Sequence, residues 1–299
     1  MAEFLVARGL RKEFGGKRAV DGVSISLKPG VVTGFLGANG AGKTTAIRLM
    51  LGLVSGEGEA VFFGRPLEYW RNPSGMVGAV LGGVAGHPRH RVRRHLRMVA
   101  AGAGVPDSRV DEVLEQVGLT EAGAKRLSEL SLGLSQRVGI AQALLADPPV
   151  LILDEPANGL DPHSIRWLRD LLLALAREGR AVLVSSHQLA ELEQLVDRVI
   201  VLAQGKVVAE ATTAELAARA HGRVTVEGPH VEKLADPLRE LGAAYEATGP
   251  GCAVVTGATR FQVGDMAAEH GVTLHWLHEQ PPSLEDFYLS VAEEEFRIS

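Results

Sequence analysis

The sequence has few of the features that mark secreted, thiolate-metal and membrane-spanning proteins. Its 299 residues include one cysteine, Cys252, which excludes an internal disulfide framework, a cysteine zinc site and a thiolate-held iron–sulfur cluster. The longest apolar stretch, residues 76–86, has 11 residues and contains four glycines. A membrane span needs roughly 18 uninterrupted apolar residues. Charges interrupt the apolar N-terminus, so it is not a secretory signal. We therefore expect a protein of a reducing compartment that is soluble on its own.

Charge is limited and unevenly distributed. The chain has 31 basic and 36 acidic residues, a net charge of −5, which argues against a generic nucleic-acid binder. Residues 222–299 contain 13 acids and 5 bases, for a net charge of −8, so residues 1–221 carry +3. Hydrophobic residues make up 46% of the chain, enough to form a sizeable core. The shift in charge predicts two domains, residues 1–221 and 222–299.

Strands alternate with helical segments in the first domain. Residues 23–27 alternate apolar and polar side chains, as a half-buried strand does. Three other stretches are apolar on both faces, which is typical of a mostly parallel sheet covered by helices. These apolar strands are predicted at 31–36, 150–153 and 181–184, and helices are predicted at 43–51, over most of 89–129, and from 131 to about 147.

The second domain is predicted to be a small α+β unit. Its elements follow the order β-α-β-β-α-β-α, which suits a split βαβ domain. Ser283 opens the last helix, with Asp286 three residues on in a capping-box-like pattern. The other predicted elements are strands at 223–227, 244–248, 252–256 and 272–278, and helices at 231–241 and 261–270.

A glycine-rich loop joins the strand at 31–36 to the helix that begins at Lys43. Residues 37–44, Gly-Ala-Asn-Gly-Ala-Gly-Lys-Thr, match the pattern G-x-x-x-x-G-K-[ST]. Glycines let backbone N–H groups curl around phosphates, and the helix N-terminus directs positive dipole charge at the anion. Lys43 supplies a charge to the outer phosphates and Thr44 a hydroxyl for Mg²⁺. The candidate nucleotide contacts are Gly37, Asn39, Gly40, Ala41, Gly42, Lys43, Thr44 and Thr45.

Two acids follow the apolar strand at 150–153. A buried strand delivers Asp154 to the carboxyl edge of the sheet, where it is placed to hold Mg²⁺ through its water shell. Glu155 points in a different direction, because successive strand side chains alternate, and it is positioned to accept a proton from attacking water. Acids after a strand are a weak signal alone, but beside the phosphate loop they are a strong one.

With these motifs in place, residues 3 to about 215 resemble the ATP-binding subunits of ABC transporters. Residues 130–134, Leu-Ser-Leu-Gly-Leu, are similar to the LSGGQ signature of that family, with leucine in place of one glycine and of the glutamine. The resemblance implies that Ser131 and Gly133 bind the nucleotide of a second copy in a head-to-tail homodimer. The alternative for Ser131 is a simple helix N-cap.

Four more residues match positions of the same family. Asp161 ends a segment that resembles the D-loop, which links the two cassettes, and His187 resembles the switch histidine that contacts the γ-phosphate. Phe14 stands where the family has an aromatic residue that stacks on adenine, with Val20 as an added apolar contact. The alternatives are core packing for Phe14 and a structural or solvated role for His187.

Two features near residue 82 have their own interpretation. The family usually has a glutamine after the strand at 76–81, where it senses Mg²⁺ and the γ-phosphate, whereas Gly82 has no side chain for that role. Residues 87–97 include five arginines and three histidines but no acid. The resemblance implies a docking patch for the membrane subunit, close to anionic lipid head groups. The alternative is a solvated helix face.

Taken together, the resemblance implies the ATPase subunit of an export-type ABC transporter, because residues 283–288 also resemble the end of ABC-2 type exporter ATPases. The implied cofactors are ATP and Mg²⁺, and the implied partners are a second copy and a separate permease at the cytoplasmic face of the membrane, with no nucleic acid. Two alternatives remain, a soluble ABC-type ATPase acting on ribosomes or DNA and a non-hydrolysing regulatory partner. The implied catalytic residues are Lys43, Glu155 and His187, and the implied metal residues are Thr44 and Asp154.

Overall fold

The structure is a computed structural model that describes residues 3–84, 86–188, 192–219 and 223–280. The chain divides into two compact units between Glu210 and Ala211. The predicted domain boundary between residues 221 and 222 stays a prediction. The predicted helix that Ser283 opens lies outside the described residues.

An antiparallel three-stranded sheet opens the first unit. Its strands are β1 (Leu5–Phe14), β2 (Lys17–Leu27) and β4 (Glu57–Phe62), in the order β2-β1-β4. The predicted strand at 23–27 is the second half of β2. Apolar side chains alternate with polar ones along both long strands, so one face is buried, and Leu10, Val23 and Phe62 belong there to the main core.

A six-stranded sheet forms the centre of the first unit, in the order β5-β6-β7-β3-β8-β9. The pairings among β5, β6, β7, β3 and β8 are all parallel. Every residue of β3, β6 and β7 is buried, as the apolar runs predicted at 31–36, 150–153 and 181–184 indicate. The strands are β3 (Val32–Leu36), β5 (Val77–Leu81), β6 (Val150–Asp154), β7 (Ala181–Ser186), β8 (Arg198–Ala203) and β9 (Lys206–Thr212).

Helices occupy the segments predicted at 43–51, 89–129 and 131–147, whereas the helix at Pro162–Arg177 was not predicted. The segment at 89–129 contains two helices and two 3₁₀ turns, at Glu121–Ala124 and Leu127–Glu129. Asp147, with a left-handed φ of 52°, and the two prolines after it keep the fourth helix from continuing. The helices are α1 (Lys43–Met50), α2 (Val92–Gly102), α3 (Ser108–Gln116), α4 (Leu132–Leu144) and α5 (Pro162–Arg177).

The second unit has the predicted split βαβ arrangement. Its antiparallel sheet has the order β11-β12-β10-β13, in which β12 lies between the first two strands of the unit. The fold class predicted from the sequence is therefore confirmed. The elements are α6 (Thr213–Arg219), β10 (Arg223–Glu227), a 3₁₀ turn at Val231–Leu234, α7 (Ala235–Glu240), β11 (Ala244–Gly249), β12 (Cys252–Thr256), α8 (Arg260–Glu269) and β13 (Trp276–Gln280).

One predicted element of the second unit is displaced. The strand predicted at 272–278 begins at Trp276. Gly271 instead takes a left-handed conformation, and the Val272 N–H donates to the Ala267 carbonyl at 2.8 Å. This is a helix-ending motif, so Val272 is buried as part of the α8 C-terminus and does not belong to the sheet.

Candidate functional site

The candidate site lies at the carboxyl edge of the six-stranded sheet. In the parallel register, Asp154 of β6 lies beside Leu81 of β5 and beside Ser185 of β7, and Ser186 lies beside Leu36 of β3. Because parallel strands end at the same edge, this register brings together the loops that follow β3, β5, β6 and β7. The phosphate loop, the two acids and His187 therefore converge as predicted.

Glycines give the phosphate loop a path that other residues would not follow. Gly42, which precedes α1, has a φ of 109°, and a Cβ at this position would lie 2.2 Å from the Ala19 carbonyl oxygen. Gly40 has a φ of 83° but open space around it. The close approach to Ala19 fixes the entry into α1, whose first N–H groups are available to an anion.

Lys43 is almost fully buried at the start of α1. Its Nζ donates to the Gly37 carbonyl oxygen at 2.6 Å and lies 3.1 Å from Oε1 of Glu155. Asn39 and Gly40 are exposed at the tip of the loop, and Thr45 follows in the first turn of the helix. The charged Nζ of Lys43 thus lies between the Gly37 carbonyl oxygen and the Glu155 carboxylate.

The carboxylate of Asp154 is hydrogen-bonded to two hydroxyl groups. Its Oδ2 accepts a hydrogen bond from Thr44 Oγ1 at 2.7 Å, and its Oδ1 accepts one from Ser185 Oγ at 2.6 Å. The side chain is buried, so both oxygens depend on these donors. The side-chain oxygens of Thr44 and Asp154, the two residues predicted to bind the metal ion, are therefore adjacent.

Glu155 lies between Lys43 and His187. Its Oε2 accepts a hydrogen bond from His187 Nδ1 at 2.8 Å, which places the histidine proton on Nδ1 because a carboxylate can only accept. Its backbone is left-handed, with a φ of 49°, and its N–H donates to Ser185 Oγ at 2.9 Å. The loop after β6 thus holds a non-glycine residue in an uncommon conformation.

Ser131 and Asp161 cap the helices α4 and α5. Ser131 Oγ accepts from the Leu134 N–H at 3.4 Å, and Asp161 accepts from the N–H and the hydroxyl of Ser164, each at 2.9 Å. These bonds from the Ser164 N–H and hydroxyl hold the pKa of Asp161 below its ordinary value. Among the described residues, no hydrogen bond or ion pair joins Ser131 or Gly133 to the phosphate loop.

Phe14 and Val20 lie on the β1–β2 hairpin in different surroundings. The Phe14 side chain is 54% exposed, with Lys12 Nζ 5.1 Å from its ring centroid, so core packing is excluded as its role. Val20 is fully buried in the main core. Contact of either residue with a nucleotide base stays a prediction.

Gly82 follows β5 with a left-handed φ of 87° and no atom near the position of a Cβ. Space is therefore available for a side chain, but a residue with a Cβ would strain the backbone there. Glycine thus stands where the family usually has glutamine, and the backbone conformation at this position favours glycine.

The basic stretch at 87–97 is divided between internal pairs and exposed charge. Arg93 pairs with Asp111 and Arg97 with Asp107 of the neighbouring α3 region. His95 is buried, with Nε2 3.0 Å from Gln142 Oε1. The exposed arginines without an ion pair in the described part of the chain are Arg89, Arg91 and Arg94.

Two polar residues of the site were not singled out from the sequence. Ser185 bonds both acids, as described above, and Gln136 of α4 donates from Nε2 to the Pro156 carbonyl oxygen at 3.2 Å. Ser185 stands two residues before His187, at the end of an apolar strand, and that position is the only sequence signal for it.

Known proteins with similar sequences support the same interpretation. Residues 20–158 match the ABC transporter family, and residues 222–285 match a domain of unknown function (DUF8746). The chain is 41% identical to the uncharacterized ABC transporter ATP-binding protein YhcH of Bacillus subtilis, over 70% of each chain. It is 40% identical to the bacitracin transport ATP-binding protein BcrA of Bacillus licheniformis, again over 70% of each. The Nod factor export ATP-binding protein I of Paraburkholderia xenovorans is 33% identical over 96% of each chain.

A solved ATP-binding subunit of an ABC transporter has the same fold, with a TM-score of 0.66 and 25% identity over 72% of this chain and 92% of the other. The chain therefore belongs to the ATP-binding proteins of ABC transporters. Members of this family bind nucleotide, hydrolyse ATP to power transport, and work with membrane permeases.

No helix in the described part of the chain is both long enough and apolar enough to cross a membrane.

Proposed function

We propose that this chain is the ATPase subunit of an export-type transporter, that it dimerises head to tail around two MgATP, and that it drives a separate permease from the cytoplasmic face of the membrane. The observation that carries this proposal is the contact of Glu155 with both Lys43 and His187 at the mouth of the phosphate loop. Three side chains with complementary roles are thus close together: Lys43 to bind phosphate, Glu155 to act on water, and His187 to contact the terminal phosphate.

The hydroxyl of Thr44 and the carboxylate of Asp154 fit a Mg²⁺ ion. Mg²⁺ takes oxygen ligands and is usually held by one or two protein groups together with substrate phosphates and water. In the described residues no cluster of three or more histidine, cysteine or acidic side chains offers a metal site made of protein alone, which agrees with that mode. The ion would neutralise charge that develops on the phosphate oxygens.

Hydrolysis requires Glu155 to change partners. The γ-phosphate is a stronger competitor for Lys43 than a single carboxylate is, because it carries more negative charge. Once Lys43 binds phosphate, Oε1 of Glu155 is released to orient or deprotonate the lytic water. The Nδ1–H of His187 steadies the γ-phosphate when it leaves Oε2 of Glu155. The loop amides from Gly37 to Gly42 and the start of α1 hold the remaining phosphate charge.

The second half of each nucleotide site is supplied by another copy of the chain. Ser131 and Gly133 stand at the N-terminus of α4, where helix N–H groups favour an anion. Asp161 begins α5 next to them and belongs to the same dimer face. In this proposal residues 1–221 form the cassette and residues 222–299 an accessory domain. The exposed Phe14 borders the base, whereas Val20, also predicted there, has no exposed side chain to contact it.

Export is supported by the relatives, which include proteins named for bacitracin transport, lantibiotic transport and Nod factor export. The Nod factor relative matches the chain over nearly its whole length, so the likeness includes the C-terminal unit. The exposed arginines Arg89, Arg91 and Arg94 supply a cationic surface for the permease or for lipid head groups.

ATP turnover and assembly of Glu155→Gln test this proposal. With the permease present, wild type hydrolyses ATP, and loss of the general base lowers the rate by about 100-fold or more. With saturating MgATP, Glu155→Gln forms a dimer in light scattering. The exposed acid Glu121 gives a control, because Glu121→Gln keeps the wild-type rate. Wild-type turnover no faster than that of Glu155→Gln, even with the permease present, favours the non-hydrolysing partner. A Glu155→Gln protein that stays monomeric in saturating MgATP rules out the head-to-tail dimer.

A further inference from the structure

The hydroxyl of Ser185 touches both acids of the site. It donates to Asp154 Oδ1 at 2.6 Å and accepts from the Glu155 N–H at 2.9 Å. Ser185 is completely buried, so no solvent competes for these bonds. The Glu155 N–H occupies a lone pair of the oxygen, and the serine proton is therefore directed at Asp154.

The parallel register produces this bridge. Ser185 lies directly beside Asp154 on neighbouring strands, and Glu155 is the first residue after β6. At Glu155 the chain turns into a left-handed conformation that few non-glycine residues adopt. Its N–H is bound by Ser185, and its carbonyl accepts from the Asn158 N–H at 3.2 Å, so both backbone groups of the strained residue are anchored.

We propose that Ser185 is a positioning residue that sets Asp154 and Glu155 relative to each other for ATP hydrolysis. This inference rests on the proposed function. One oxygen of Asp154 is held by Ser185, so the other, which Thr44 bonds, faces the phosphate loop. The same hydroxyl fixes the backbone from which the Glu155 side chain reaches Lys43 and His187.

The neighbouring Ser186 shows what a purely structural serine does at this edge. It is also buried, at the end of the same strand, but its hydroxyl bonds the backbone of Gln188, accepting from the N–H at 2.9 Å and donating to the carbonyl at 3.2 Å. It has no hydrogen bond to Asp154 or Glu155. Ser186→Ala is therefore the matched control for Ser185→Ala.

The test uses the full chain with its permease. In Ser185→Ala, Asp154 loses a donor and the Glu155 N–H loses its acceptor, so kcat falls about tenfold or more while the KM for ATP changes little. The Mg²⁺ concentration needed for half-maximal binding of a fluorescent ATP analogue rises as well, because a freed carboxylate is no longer held toward Thr44. Ser186→Ala leaves both quantities at wild-type values.

Ser185→Cys provides a second variant of nearly the same shape with a weaker donor and acceptor, and it carries the test if Ser185→Ala does not fold. It is expected to fall between wild type and Ser185→Ala. Equal kcat and equal Mg²⁺ dependence in wild type and the Ser185 variants would overturn the positioning role. If wild type itself does not hydrolyse ATP, the proposed function fails first, and the Mg²⁺ titration still decides whether Ser185 orients Asp154.

Discussion

Asp161 stabilises the start of α5 in a way that depends on pH. The N–H and hydroxyl of Ser164 hold its pKa below the ordinary value, and the positive end of the helix favours its charge. A carboxyl whose pKa is lower in the folded than in the unfolded chain stabilises the fold above the unfolded pKa. That contribution disappears as the pH falls through the folded pKa.

Asp161→Asn isolates this charge, because asparagine is also a good N-cap but does not titrate. We expect wild type to be more stable than the variant at neutral pH, and the difference to shrink below the ordinary carboxyl pKa and vanish only below the lowered folded pKa of Asp161. Thermal unfolding of both proteins at a series of pH values measures the difference. A gap of constant size down to acid pH would show that the carboxylate charge contributes nothing at this cap.

At the scale of elements, the start of α4 packs closely against the loop before α5 and the first turn of that helix. A Cβ at Gly159 would lie 2.6 Å from Leu132 Cδ2, and a Cβ at Gly133 would lie 3.2 Å from Ser164 Oγ. Leu132 is 53% exposed, and its end covers the backbone of Gly159. The leucine that replaces a signature glycine therefore packs against the D-loop-like segment of the same chain.

A double-mutant cycle tests this contact. Gly159→Ala is destabilising for two reasons, its left-handed φ of 71° and the collision with Leu132. In a Leu132→Ala background only the first remains, so we expect the cost of Gly159→Ala to fall by about 1 kcal/mol in urea unfolding. Identical costs in the two backgrounds would mean that Leu132 rotates away freely and that the two loops are not coupled.

The elements predicted most accurately from the sequence are those whose apolar composition alone decides that they are buried. Strands β3, β6 and β7 are mostly apolar, and each begins and ends within two residues of its prediction. The strand at 272–278 was misplaced because Val272 and Leu274 alternate as a strand does. Val272 is instead recruited to the end of α8, an outcome set by Gly271 and by tertiary packing.

The same distinction holds for the site. The phosphate loop, Asp154, Glu155 and His187 were predictable, because each follows an apolar strand and parallel strands end at a common edge. Ser185 was not, because its two bonds depend on which strand lies beside β6 and in which register. Likewise, Glu155 pairs with Lys43 because the backbone turns left-handed at Glu155, and no local sequence pattern predicts that turn.

At the scale of the whole molecule, each compact unit has its own hydrophobic core. The first core gathers residues of β1, β2 and β3 around Phe35 and Phe62. The second gathers Val224, Val255 and Leu238 with their neighbours between residues 224 and 272. A unit with its own core can unfold as a cooperative whole, so the chain is expected to unfold in two steps.

Calorimetry of the full chain tests this expectation. At about 0.7 kcal/mol per residue, units of about 210 and 90 residues unfold with enthalpies of about 150 and 60 kcal/mol, which identifies each transition. The residues proposed to bind nucleotide all lie in the first unit. Mg-ADP at 100 times its Kd should therefore stabilise the larger transition alone, by about 2.7 kcal/mol. Lys43→Ala removes that shift and leaves two transitions. A single transition that carries the full enthalpy and moves as one with ADP would show that the two units unfold together.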